Sequence, residues 1–114
     1  VHYELAAGVP DANETLLESA QRELLEETGY GGSTWSIWME ASANPATHTN
    51  TAYIYMATDV QWLGQQSLDA TEEISVEVLS RAAVLEILRG NGVFQALHAA
   101  ALWRYFAENK HGGI

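Results

Sequence analysis

The chain contains no cysteine, which excludes a disulfide framework and any thiolate zinc site. Basic residues are scarce too: five Lys and Arg stand against fifteen Asp and Glu, a formal net charge of -10. Polymeric nucleic acid is held by basic surfaces that release condensed counterions, so a partner of that kind is not expected. Long apolar runs are also missing, and the opening Val1-His2-Tyr3-Glu4 has no basic stretch leading into an apolar one. The reading is a cytoplasmic protein with neither a membrane span nor a signal peptide. Only two prolines occur, and no repeat or low-complexity tract interrupts the 114 residues, so organisation has to be read from periodicity. A chain of this length suits one domain, 1-114, burying roughly two-thirds of the surface that its unfolded form exposes.

What is present begins with a short strand ending near Ala6, then a loop with Gly8, Pro10 and Asp11, which are turn-forming residues. Asn13 is placed to cap a helix over Glu14 to Thr28 in which Leu17, Ala20 and Leu24 recur at spacings of three and four, with Gly29 as its stop. Strand-forming residues follow at Thr34 to Met39 and again at Thr51 to Ala57, the second run apolar on both faces. Glu72 to Leu79 alternates, with Ile74, Val76 and Val78 on one side, as a half-buried strand would. Ser80 then caps a helix carrying Val84, Leu85 and Leu88, and a Gly90-Asn91-Gly92 turn leads into a last helix striped with Phe94, Leu97, Ala101, Leu102 and Tyr105. Strands alternating with helices predict an α/β domain, a sheet covered by helices on both faces.

The chemistry concentrates in the first helix. Glu23, Glu26 and Glu27 fall at i, i+3 and i+4, on one helical face, beside Arg22. Like charges so spaced weaken a helix unless a cation sits among them. Arg22 lies four residues after Glu18 and four before Glu26, a spacing at which a guanidinium braces carboxylates, and the Ala6-Ala7-Gly8 loop can bring backbone carbonyls close. A solvated acidic face is the ordinary explanation of a Glu-rich helix. Hard oxygen donors of this kind also suit Mg²⁺ or Mn²⁺ bridging to substrate phosphates.

Gly8, five residues, Glu14, seven residues, Arg22-Glu23-Leu24, one residue, Glu26-Glu27, one residue and Gly29-Tyr30 form a pattern of nine specified positions in 23 residues. This stretch resembles the signature of the Nudix hydrolases, which cleave nucleoside diphosphates linked to another moiety. The resemblance implies an α/β/α sandwich around a mixed β-sheet, with the signature forming loop, helix and loop. It implies that Glu23, Glu26 and Glu27 hold divalent metal together with a backbone carbonyl, that of Ala7. Arg22 would orient the glutamates, Glu14 would pair within the motif, and Gly8 and Gly29 would permit the loop backbone.

The signature implies a reaction class and leaves the leaving group open. Pro45, fifteen residues after Tyr30, and the stretch Glu4-Leu5-Ala6-Ala7-Gly8 are similar to features of the ADP-ribose pyrophosphatase subgroup, with Ala6 standing where that subgroup has proline. That likeness implies cleavage of ADP-ribose, or a related nucleoside diphosphate sugar, to a nucleoside monophosphate and a sugar phosphate. It makes Glu72 and Glu73 candidates for the base or a further metal contact, on a loop that Gly64 and the polar run Gln65 to Thr71 leave free to close. Pro45 and His48 are candidate substrate contacts. His98 reads as a packing histidine, and Trp35, Trp38, Tyr53, Tyr55, Trp62 and Trp103 as core or interface aromatics, none assigned to a base. Few residues precede Gly8, whereas the family domain normally begins earlier, so an N-terminally shortened sheet and a homodimer that covers its edges are expected. NADH, dinucleoside polyphosphates and nucleoside triphosphates are the rival substrates, and an inactive nucleotide-binding module is the rival from another class.

Overall fold

The first helix, α1 (Leu16–Thr28), starts two residues later than the sequence spacing suggests. Asn13 adopts the left-handed region at φ 65°, where asparagine is tolerated better than most residues, and the Glu14 N–H closes a turn onto the Asp11 carbonyl at 3.1 Å. The cap is Thr15: its Oγ1 accepts from the Glu18 N–H at 3.1 Å, while the Glu18 Oε1 accepts from the Thr15 N–H at 2.9 Å. This reciprocal pair satisfies two donors that a helix start leaves over. Gly29 ends the helix as expected, at φ 80° with its N–H on the Leu25 carbonyl. Along α1 the apolar stripe is shallow. Ala20 and Leu24 are half-buried, Leu17 is exposed, and Ser19 is the buried side chain.

The computed structural model describes residues 2–42, 44, 46, 51–69 and 72–109. After α1 come β1 (Tyr30–Gly31), β2 (Thr34–Ala41), β3 (Ala52–Thr58), β4 (Gln61–Trp62), α2 (Arg81–Arg89) and α3 (Ala96–Glu108). Among the described residues the strands form two pairs: β2 with β3, and β1 antiparallel to β4 with Tyr30 opposite Trp62 and Gly31 opposite Gln61. β1 and β4 are two residues each, too short to leave a periodic trace in sequence. No helix among the described residues is long and apolar enough to cross a membrane.

The chain divides into two compact units. One comprises Ala6–Trp38 and Tyr55–Glu77, and carries α1, the β1–β4 pair and the whole signature. The other comprises Val1–Leu5, Met39–Ile54 and Val78–Ile114, and carries α2 and α3. In the second unit the buried apolar side chains among the described residues are Leu88, Val93 and Ala101. Ser80 caps α2 as expected, its hydroxyl accepting from the Ala83 N–H at 3.1 Å. Beyond α2, Asn91 takes the left-handed conformation, and the Gly90, Asn91 and Gly92 N–H groups close onto the carbonyls of Glu86, Leu88 and Ile87. These bonds satisfy carbonyls that the helix end leaves over.

Three expectations are corrected here. Tyr3 to Ala6 is not a strand: the Tyr3 N–H bonds to the Gly92 carbonyl at 2.9 Å and the Leu5 N–H to His98 Nδ1 at 3.2 Å, contacts to a turn and a side chain that build no ladder. Glu72 to Leu79 forms no strand, and Val76 and Val78 are exposed, so their alternation marks no buried face. Phe94 lies before α3, whose cap is Gln95, and stacks on His2 with ring centroids 4.9 Å apart instead of joining the helical stripe.

His98 works as a neutral acceptor for the Leu5 N–H, and burial lowers its pKa against a smaller opposing pull from Glu4. A histidine whose folded-state pKa is depressed binds its proton more readily in the unfolded chain. Its contribution to stability is therefore complete above the ordinary histidine value of 6.5 and is lost as the pH falls below it. Melting temperatures between pH 7 and 5 should fall more steeply for the wild type than for His98→Asn, which keeps an acceptor and cannot titrate. Parallel curves would contradict this role.

Candidate active site

Arg22 is the hub of the signature. Its Nε bonds to Glu14 Oε2 at 2.8 Å and its Nη2 to Glu14 Oε1 at 3.0 Å, a two-pronged contact that only a planar guanidinium makes. The remaining donors spread outward: Nη1 reaches Glu23 Oε1 at 2.8 Å and Glu26 Oε2 at 3.1 Å, and Nη2 reaches the Val9 carbonyl at 3.2 Å. Asp11 adds an ion pair at 3.5 Å. The centre of the cluster is largely withdrawn from water, with Arg22 26% exposed, Glu14 15% and Glu23 17%, whereas Glu26 and Asp11 at its rim are exposed at 40% and 72%. The Glu14 carboxylate is held below the usual carboxylate range, first by Arg22 and then by the Asp11 N–H, which donates to it at 2.8 Å. Arg22 is raised above its already high value, chiefly by Glu14. Glu18, expected to share Arg22 with Glu26, is occupied in the Thr15 cap.

Glu27 sits differently. Partial burial, the Glu23 carboxylate and the charge of Glu72 push its pKa up to about 8, against one stabilising backbone N–H from Ala7. Two carboxylates converge there, and among the described residues Arg22 pairs with Glu23 while Glu27 has no ion pair of its own, an arrangement that favours a proton or a metal ion at Glu27. Among the described residues no three acidic or histidine side chains are gathered as a ready-made chelate, and Glu23 and Glu26 each turn one oxygen to Arg22. Each has a second oxygen, and with the Glu27 carboxylate these are hard oxygen donors, the type that fits Mg²⁺ or Mn²⁺, while the Ala7 group seen at Glu27 is its N–H.

Glycine enters for two distinct reasons. A Cβ on Gly8 would overlap the Glu23 carboxylate, so the position needs empty space; its backbone is not left-handed. Gly29 meets both demands, with φ 80° and a Cβ that would overlap the Gly64 carbonyl.

The segment after β4 is fastened to the end of α1. Leu63 N–H bonds to the Gly29 carbonyl at 2.7 Å, Ser67 N–H to the Glu26 carbonyl at 2.7 Å, and Gln66 Nε2 to the carbonyls of Glu27 at 2.7 Å and Ile74 at 3.0 Å. The loop expected to be free to close is thus tied down over its described residues. Of the two acids on its far side, Glu72 is the one whose charge acts on Glu27, and its own Oε1 accepts from the Asp69 N–H at 2.8 Å. Glu73 is exposed. Pro45 and His48 lie outside the described residues. Sequence reasoning missed Asp11, Val9, Gln66 and Ser67. The Thr15-x-x-Glu18 pattern was a readable signal for the cap, whereas no pattern announces Gln66. A groove of about 550 Å³ along α2 and α3, lined by Arg81, Arg89, Trp103 and Phe106 among others, belongs to the other unit and holds none of these carboxylates.

A NUDIX domain model matches residues 1–98, so the chain belongs to the Nudix family. Its α/β fold is similar to that in the crystal structure of an ADP compounds hydrolase, with a TM-score of 0.79 and 23% sequence identity over 98% of this chain. The match covers 60% of that longer protein. No curated protein matches the sequence.

The two glycines predict separable effects. Gly29→Ala, strained in φ and blocked by backbone, should lose about 2 to 4 kcal/mol in urea denaturation. Gly8→Ala meets only the end of a flexible side chain and should lose less than about 1 kcal/mol, while displacing Glu23 from Arg22. Equal losses at both sites would contradict the assignment.

Proposed function

We propose that this chain is a Mg²⁺- or Mn²⁺-dependent pyrophosphohydrolase that cleaves the diphosphate of ADP-ribose or a related nucleoside diphosphate sugar. The observation that carries the proposal is the Arg22-centred carboxylate set, Glu14, Glu23 and Glu26, standing beside the like-charged Glu23 and Glu27 pair. A structure built only for stability gains nothing by half-burying a further carboxylate, Glu27, against a Glu23 whose cation is already shared with Glu14 and Glu26.

In this reading Glu23, Glu26, Glu27 and the Ala7 carbonyl would hold the metal. A bound divalent ion supplies neutralisation of the diphosphate and a more acidic water. Arg22 fixes the rotamers of Glu23 and Glu26 and keeps one oxygen of each occupied. Glu72, whose field reaches Glu27, is the better placed acceptor for the proton of the attacking water, and Glu73 is the second candidate. The water oxygen bonds to one phosphorus as the bridging P–O bond breaks, leaving a nucleoside monophosphate and a sugar phosphate. An anionic substrate approaching a chain of net charge -10 is repelled unless that ion is present, so binding itself should depend on metal.

The preference for ADP-ribose rests on Pro45, on the Glu4 to Gly8 stretch and on the fold shared with a hydrolase of ADP compounds. The proposal extends to a single domain acting as a homodimer, for which exposed Val9, Ile37, Trp62 and Leu63 offer apolar surface.

The test is product release from ADP-ribose, nucleoside diphosphate sugars, NADH, dinucleoside polyphosphates and nucleoside triphosphates, with and without Mg²⁺. Species separated by size are assayed, so that oligomeric mass is read together with turnover. AMP should appear from ADP-ribose ahead of the other substrates, only with metal, and Glu27→Gln should lower kcat by about a hundredfold or more without changing the melting profile. Wild-type turnover in that variant would refute the metal assignment. Absence of turnover on every substrate would leave a nucleotide-binding module.

A further inference from the structure

We infer that Gln66 is a positioning residue that joins the backbone under Glu27 to the segment carrying Glu72 and Glu73; the inference rests on the hydrolase reading above. A carboxamide nitrogen has two N–H donors. Both are used here on carbonyls of different segments, Glu27 at 2.7 Å and Ile74 at 3.0 Å.

The Glu27 carbonyl is one of the last four in α1, which have no partner within the helix. Water could satisfy it. Instead the loop supplies the donors, with Ser67 N–H on the Glu26 carbonyl beside it. The other end of the clamp falls at Ile74, one residue after Glu73 and two after Glu72. That segment has no strand ladder to hold it, and the bonds between Asp69 and Glu72 are local to their own turn. Among the described residues Gln66 therefore supplies a hydrogen-bonded tie from α1 to the segment of the two acids proposed to face the attacking water. It touches neither substrate nor metal in this account. A few tenths of an ångström in the separation of a base and its water change the rate of proton transfer far more than they change substrate affinity.

Gln66→Met keeps the length of the side chain and removes both donors, while Gln66→Lys restores donors at nearly the same reach. In the metal-loaded enzyme, Gln66→Met should lower kcat by about tenfold with KM within about twofold, and Gln66→Lys should recover most of the loss. In the metal-free protein, cleavage by a glutamate-specific protease after Glu72, Glu73 and Glu77 should accelerate several-fold in Gln66→Met, with sites within α1 unaffected, because local opening governs such cutting. Wild-type kcat in Gln66→Met would overturn the inference. So would a kcat loss matched by faster cutting throughout the chain, which describes general destabilisation. If the wild type hydrolyses nothing, the hydrolase reading fails by itself. The protease arm then decides the clamp: faster cutting confined to the 72–77 segment upholds it, and unchanged cutting overturns it.

Discussion

The signature region depends on one guanidinium. Arg22 is an amphipathic cation placed where four acidic side chains converge, and its flat fork satisfies Glu14 with two bonds while leaving Nη1 for Glu23 and Glu26. Without it the helix would carry like charges at i, i+3 and i+4 with nothing to offset them. With it, the loop from Gly8 to Glu14 is fixed to the helix face through Val9 and Asp11 as well. The same residue thus stabilises the fold of the loop and sets the directions of the carboxylates, so stability and proposed chemistry are joined at a single side chain.

The opposite end of the helix shows a complementary constraint. Carbonyls at a helix C-terminus need donors, and here Gly29, Ser67 and Gln66 provide them. Closure of this end requires Gly29, since the left-handed turn brings the chain against Gly64 with no room for a Cβ. The short β1–β4 pair then follows from the turn: once Leu63 N–H is bonded to the Gly29 carbonyl, Tyr30 and Trp62 come opposite each other. Two-residue strands have little stability of their own. They persist because the capped helix holds their ends together.

Legibility in the sequence followed the physical range of each signal. The positions of α1, α2 and α3, their caps at Ser80 and Gly29, and strands β2 and β3 were readable because local periodicity and capping chemistry decide them. The Glu72 to Leu79 alternation misled because period-two hydrophobicity describes which side chains share a face and says nothing about whether a second strand is there to pair with it. Phe94 misled in a similar way, its spacing fitting the α3 stripe although Gln95 caps the helix first. At the site, the carboxylates and Arg22 stood in a spaced pattern within 23 residues. Gln66 did not, since its partners lie 39 residues back and 8 residues on, and a glutamine side chain has no compositional mark for such a tie.

In the proposed site Arg22 orients Glu23 and Glu26 so that their second oxygens, with Glu27, would receive a divalent ion. The most direct measurement is a Mn²⁺ binding titration, followed by electron paramagnetic resonance, on the wild type and on Arg22→Lys. A lysine keeps the charge and loses the fork. Arg22→Lys should stay folded by circular dichroism and bind Mn²⁺ about tenfold or more weakly, as for other residues that orient metal ligands. Equal or tighter Mn²⁺ binding by folded Arg22→Lys would contradict it, because Arg22 would then merely compete with the metal for the carboxylates.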